Sequence, residues 1–161
     1  QVVGRRFWDQ CLKVSSLRNP WDMLVSQYEW ERSGRAGRSA PAEQPWSQWL
    51  DEALSKPGGN GISKAESKIV PHAFINGHFV LDHMILFEDL DGTINDLQAR
   101  TGVSMPAFST RNINEKQTRR ERDYRRYYAP QEAARVGQVF APLLARFPYD
   151  FDSPGKPPIV K

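Results

Sequence analysis

Arg18 and Ser26 stand eight positions apart, and residues of these two types can together hold a phosphate. Arginine supplies a planar fork of donors and a permanent charge, and serine supplies one hydroxyl donor. A phosphate needs both charge and directed donors, and a bidentate arginine contact gives both. The elements around them predict how they are placed. Leu12 to Leu17 reads as a short buried strand that stops at Arg18-Asn19-Pro20. Asn19 fits a helix N-cap, Pro20 the first helical position, and Asp22 the first turn, where its charge favours the helix dipole. Trp21, Leu24, Val25 and Tyr28 then recur at the spacing of one helical face. Arg18 therefore falls at a strand-to-helix turn, and Ser26 faces outward two turns further on. The plainer reading of the same residues is an arginine paired with an acid before a cap and a serine on a helix surface.

Charge points the same way as the candidate clamp. The chain has 161 residues and a net charge of +3. Between Arg111 and Arg126 seven basic residues meet three acids, a net +4, so the rest of the chain sums to −1. A basic segment on a nearly neutral body fits a polyanionic partner, such as a nucleotide phosphate, a nucleic-acid backbone or an acidic glycan. A solvated, salt-bridged helix face accounts for it equally well.

Composition bounds the remaining classes. The length suits one domain. Eight Phe, five Trp and five Tyr argue against disorder along the whole chain. The mean hydropathy of −0.63 implies a thin core or much surface chain. No apolar run approaches the roughly 20 residues of a membrane span, and no secretory leader is visible at the start. One cysteine, Cys11, excludes an internal disulfide. It and the three histidines show no metal-ligand spacing, so no metal site is expected.

Further elements follow from local signals. Ser33 to Gly61 is rich in Gly, Ala, Ser and Pro, with one short helix over Trp46 to Leu54. Two β-like runs, Ile69 to Ile75 and Phe79 to Phe87, flank Asn76-Gly77, a hairpin turn pair. Leu90, Ile94 and Leu97 mark a helix that Gly102 should stop. Pro130 opens a last helix whose apolar positions Val136, Val139, Phe140, Leu143, Leu144 and Phe147 keep a helical period. The tail after Asp152 should be extended. This order of elements argues for α/β with an incomplete sheet.

Three separated motifs carry a resemblance. Leu17-Arg18-Asn19-Pro20-Trp21-Asp22-Met23-Leu24-Val25-Ser26-Gln27-Tyr28 resembles the 3′-phosphate-binding motif of sulfotransferases. Phe79-Val80-Leu81-Asp82-His83 followed by Leu86-Phe87-Glu88-Asp89-Leu90 is similar to that family's strand and FExL region. Asp123-Tyr124-Arg125-Arg126-Tyr127-Tyr128, with the ending Phe147-Pro148-Tyr149-Asp150-Phe151, is similar to its C-terminal YRxYY and FGYDF motifs, with Pro148 replacing the usual glycine. The match is nearest to the carbohydrate-type and bacterial branch. It covers nearly the whole chain and is loose over Ser33 to Gly61.

The resemblance implies a P-loop-like α/β fold of three layers around a central, mainly parallel sheet, in a single domain. It implies 3′-phosphoadenosine 5′-phosphosulfate as donor cosubstrate, held at its 3′-phosphate by Arg18 and Ser26. In the basic segment it implies nucleotide or acidic-acceptor contacts near Asn112, Asn114 and Lys116, with Arg119 and Arg120 the best candidates. The acceptor it implies is a hydroxyl, on a glycan or small molecule. Arg125 and Arg126 flank two tyrosines and can instead cover the core with their aliphatic stems.

The family's phosphosulfate-gripping loop, with its Lys and Ser/Thr, has no counterpart in these 161 residues. The chain begins at Gln1, so a processed chain or a piece of a longer one is expected. A catalytically incompetent remnant or a binding subunit on the same scaffold is the alternative. No general base is assigned among His72, His78 and His83. Bare sheet and core faces would favour association. Nucleic-acid binding by the Arg/Tyr segment ranks low, since no known reader motif is present. The compartment expected is the cytoplasm, or the Golgi if an anchor precedes the chain.

Overall fold

A computed structural model describes residues 4–33, 44–55, 62–105 and 123–153. The chain opens with a short exposed helix, α1 (Arg5–Gln10), which no sequence signal had marked. Strand β1 (Val14–Leu17) follows, starting two residues later than expected and buried only at Leu17, and turns at Arg18 into α2 (Pro20–Arg32). Asn19 caps α2 as its sequence suggests: its side-chain oxygen accepts from the N–H groups of Trp21 at 3.1 Å and Asp22 at 3.4 Å. The predicted face of Trp21, Leu24, Val25 and Tyr28 is buried. Helix α3 (Trp46–Ser55) buries Trp49, Leu50, Ala53 and Leu54, the stripe of an amphipathic helix.

The region from Ile69 to Phe87 departs from two simple strands. Glu66–Lys68 forms a 3-10 turn, and Val70–Ala73 forms a helical turn, α4. Pro71 accounts for this, because it gives no N–H to a strand ladder and its fixed φ suits a first helical turn. Only β2 (Phe74–Ile75) and β3 (His78–Phe79) pair as the antiparallel hairpin. Asn76 and Gly77 take φ +50° and +77° between them, the twin left-handed geometry that favours Asn-Gly. The second run breaks at Val80–Asp82. The Asp82 carboxylate accepts the Lys13 N–H at 2.9 Å and pairs with Lys13 Nζ at 2.8 Å. Past that anchor, β4 (His83–Leu86) pairs in parallel with β1, from Val14 opposite His83 to Leu17 opposite Leu86.

A 3-10 turn (Phe87–Asp89) leads from β4 into α5 (Leu90–Thr101). Asp89 caps α5, and Gly102 ends it at φ +69°, its N–H bonded to Gln98 O at 2.8 Å. After a 3-10 turn at Tyr124–Tyr127, α6 (Pro130–Val139) starts on Pro130 as expected, with the Glu132 carboxylate reaching back to the Ala129 N–H at 2.8 Å. The single helix expected beyond it is broken at Phe140, and α7 (Ala141–Leu144) follows. Pro142 has no N–H to offer the carbonyl one turn back, so the helix cannot run on. The apolar stripe still faces the core across the break, with Val136, Phe140 and Leu143 inaccessible to solvent and Val139 and Leu144 partly buried.

One core joins Leu17 and Leu86 of the sheet to α2, α3 and α6, with the Trp46 ring in contact with those of Tyr28, Trp49, Tyr127 and Tyr128. Helix α5 packs on β4 and buries Thr93, Ile94 and Leu97 apart from that core. The architecture is mixed helix and strand. Among the described residues the parallel sheet has two strands, fewer than the central sheet the resemblance implies. No helix among the described residues is long and apolar enough to cross a membrane.

Candidate functional site

Helical geometry puts Ser26, Gln27 and Trp30 on the side of α2 opposite its buried face, with Met23 beside them and partly packed on the core. Together with Arg18 and Lys68 they line a shallow groove of about 380 Å³. The two residues of the proposed clamp therefore share one groove. Lys68 enters it from the 3-10 turn at Glu66–Lys68, 42 positions after Ser26. Among the described residues Lys68 makes no ion pair. No signal in the sequence pairs it with Arg18.

Arg18 does not stand alone at the strand-to-helix turn. Its Nε donates to Asp22 Oδ2 at 2.5 Å, and its Nη2 pairs with the same carboxylate. The guanidinium also lies over the ring of Phe87, 4.7 Å from the centroid. Burial pushes the Arg18 pKa below its usual value, and the nearby Glu88 charge pulls it back up. A guanidinium starts so far above neutrality that it keeps its charge. Asp22 thus takes one edge of the fork, and Nη1 keeps its two N–H groups without a hydrogen-bond partner among the described residues. This pair is the plainer reading of Arg18, an arginine joined to an acid at the cap, although the sequence marked Asp22 itself only as a helix-dipole residue. Its spacing of four from Arg18 is the signal that identifies the pair.

Glu88 joins the three sequence motifs. One carboxylate oxygen accepts the Asn19 N–H at 2.6 Å, and the other accepts the Tyr149 hydroxyl at 2.8 Å. The Asn19 amide nitrogen reaches Tyr124 Oη and Asp150 O, each at 3.4 Å, and the Tyr124 hydroxyl donates to Phe151 O at 2.7 Å. The Tyr128 hydroxyl donates to Trp21 O at 2.9 Å. So residues 18–22, 87–88, 124–128 and 149–151 meet at the start of α2. Burial and the Glu88 carboxylate both raise the Tyr149 pKa, keeping its hydroxyl a donor.

Arg119 and Arg120 lie outside the described residues, as do Asn112, Asn114 and Lys116. Arg125 does not cover the core with its aliphatic stem. Its side chain is exposed, forks onto Asp123 with two contacts of 2.8 Å and donates to Asp152 O at 3.2 Å. A carboxylate two residues away outcompetes a stretch along the apolar surface.

The histidines do not enter the groove. His72 and His78 are exposed. His83 Nε2 lies 2.8 Å from Thr93 O, and since a carbonyl only accepts, that nitrogen carries a proton. A second cavity, of about 340 Å³, lies beside β4 and is lined by His83, Arg100 and Arg146 among others. It shares no residue with the Arg18 groove. Among the described residues no group of three or more His, Cys, Asp or Glu gathers to hold a metal.

Comparison with known proteins adds no relative: no family model, no curated protein and no solved structure matches the chain.

Proposed function

We propose that this chain carries the part of a sulfotransferase that holds the 3′-phosphate of 3′-phosphoadenosine 5′-phosphosulfate, in an enzyme that moves a sulfonate to a hydroxyl, in the branch it most resembles a carbohydrate hydroxyl. The observation that supports this reading is the shared groove of Arg18 and Ser26. In it, Arg18 presents the edge of its fork that has no partner among the described residues, Ser26 its hydroxyl and Lys68 a second positive charge. Asp22 cancels much of the Arg18 charge, so Lys68 supplies the attraction that a dianion requires. The Asp22 pair in turn restricts the long Arg18 side chain, which lowers the entropy lost when a ligand binds.

No lysine-bearing phosphate loop occurs in the 161 residues, so the transfer step is assigned to no residue here. The alternative is a catalytically incompetent remnant or an assembly or binding subunit on the same scaffold. Calorimetric titration with 3′-phosphoadenosine 5′-phosphate tests the nucleotide site. Wild type should bind, and Arg18→Ala should lose about 2–4 kcal/mol, the scale for deleting one member of a desolvated charge contact. Equal affinity in the two proteins, or none in either, removes the assignment. Transfer of sulfonate from the donor to a glycan panel separates the enzyme from the binding unit.

A further inference from the structure

Resting on that reading, we infer that Phe87 and Glu88 are positioning residues for the Arg18 clamp. These two neighbours hold Arg18 at both ends. The Glu88 carboxylate accepts the N–H of the peptide that joins Arg18 to Asn19, at 2.6 Å. That bond fixes the peptide plane from which the Arg18 side chain departs. The Phe87 ring lies under the guanidinium at the other end, 4.7 Å away. Asp22 closes the third side. A head group held by a ring face, a carboxylate and an anchored backbone has little freedom left, which is how a flexible arginine becomes a directed donor.

Glu88 is fixed in its own turn. Its second oxygen accepts the Tyr149 hydroxyl at 2.8 Å, and Tyr149 is buried. Asn19 is almost wholly buried, so its N–H has no ready replacement from water. Phe87, by contrast, is half exposed, and its ring serves Arg18 more than the core. The arrangement assigns the 87–88 pair to the orientation of Arg18 and leaves direct ligand contact to Arg18, Ser26 and Lys68.

The test compares two nucleotides by calorimetry on the full chain: 3′-phosphoadenosine 5′-phosphate, and adenosine 5′-diphosphate, which lacks the 3′-phosphate. Glu88→Ala should weaken the first by about tenfold or more, the scale on which removal of an outer partner disturbs a site, and leave the second nearly unchanged. Glu88→Gln should retain most of the affinity, because its amide can still accept from Asn19 and meet the Tyr149 hydroxyl. Phe87→Leu covers the case in which Glu88→Ala does not fold, and should cost about two- to fivefold for the 3′-phosphate ligand alone. Unchanged affinity in folded Glu88→Ala or in Phe87→Leu overturns the inference, as does an equal loss for both nucleotides. A wild type that does not distinguish the two nucleotides removes the Arg18 reading itself, and this inference with it.

Discussion

Arg18 and Asp22 form an ion pair across one turn at the start of α2, and both side chains are less than a quarter exposed. The carboxylate sits where a helix N-terminus favours negative charge, and it partly neutralises the cation proposed to hold a phosphate. Asp22→Asn should therefore act in two directions. Stability should fall by about 0.5–1 kcal/mol through the lost dipole and pair. Affinity for inorganic phosphate should rise by about threefold at low salt, and that gain should vanish near 1 M salt, where screening reaches about 3 Å. Denaturant melts and a salt series of titrations read both effects. Weaker phosphate binding in the variant would mean that Asp22 orients Arg18 more than it neutralises it.

Lys68 is exposed and lies in the groove without an ion pair of its own among the described residues. Its contribution should be electrostatic and easily screened. Lys68→Ala should lower affinity for 3′-phosphoadenosine 5′-phosphate by about three- to fivefold at low ionic strength, the size of about 1 kcal/mol. The two proteins should converge as salt rises. The melting temperature should stay within about 1 °C of wild type, since isolated surface substitutions are nearly neutral. A loss that persists at high salt would contradict this role.

Asn19 combines a helix cap with near-complete burial and contacts to Tyr124 and Asp150. Asn19→Ala should cost about 2 kcal/mol, the upper end for a cap, because buried donors and acceptors are stranded with it. For a chain of this length that corresponds to a drop of about 4–8 °C in melting temperature. Circular dichroism melts give the value, and a drop below about 2 °C would show that water replaces the cap.

Tyr149 gives a prediction in alkali. Burial and Glu88 raise its pKa in the folded state, whereas the unfolded chain titrates near about pH 10. Above that pH the unfolded state holds fewer protons than the folded one, so stability falls as pH rises. Below it, the stabilisation is fully present. Wild type should lose stability by up to about 1.4 kcal/mol more per pH unit than Tyr149→Phe above pH 10. Parallel curves for the two proteins across pH 9–11.5 would mean that the Tyr149 hydroxyl ionises freely.

The core offers a contrast of scale. Leu50 on α3 is inaccessible to solvent, while Trp30, on the groove side of α2, is about half exposed. Leu50→Ala should cost about 2–5 kcal/mol through lost burial and the cavity left behind. Trp30→Ala should change stability by about 0.5 kcal/mol or less. Chemical denaturation of both variants measures the difference, and comparable losses would place Trp30 in the core.

Local rules carried a good part of the fold. Asn19-Pro20 starts α2, Asn76-Gly77 turns the hairpin, Pro130 starts α6, and Gly102 ends α5. Each of these depends on a cap, a ring or a left-handed dihedral satisfied within a few residues. The strand–turn–helix around Arg18 and the outward face of Ser26 are legible for the same reason. The errors also have local causes that a period count passes over. Pro71 makes a helical turn inside a β-like run, Pro142 interrupts a smooth helical stripe, and Arg125 prefers the neighbouring Asp123 to the core.

The order of chain alone determined that an arginine would stand at a helix entrance with a serine two turns along. Apart from Asp22, four positions on, only the tertiary structure decided what surrounds them. Glu88 reaches Asn19 across 69 positions, and Tyr149 reaches Glu88 across 61. Lys13 and Asp82, equally distant in the chain, divide one apolar run between a hairpin and a parallel pair. A cap is judged by its own neighbours, but a buried carboxylate takes whichever donors the topology brings to it. Those partners carry no fixed spacing along the chain, so sequence periodicity cannot name them.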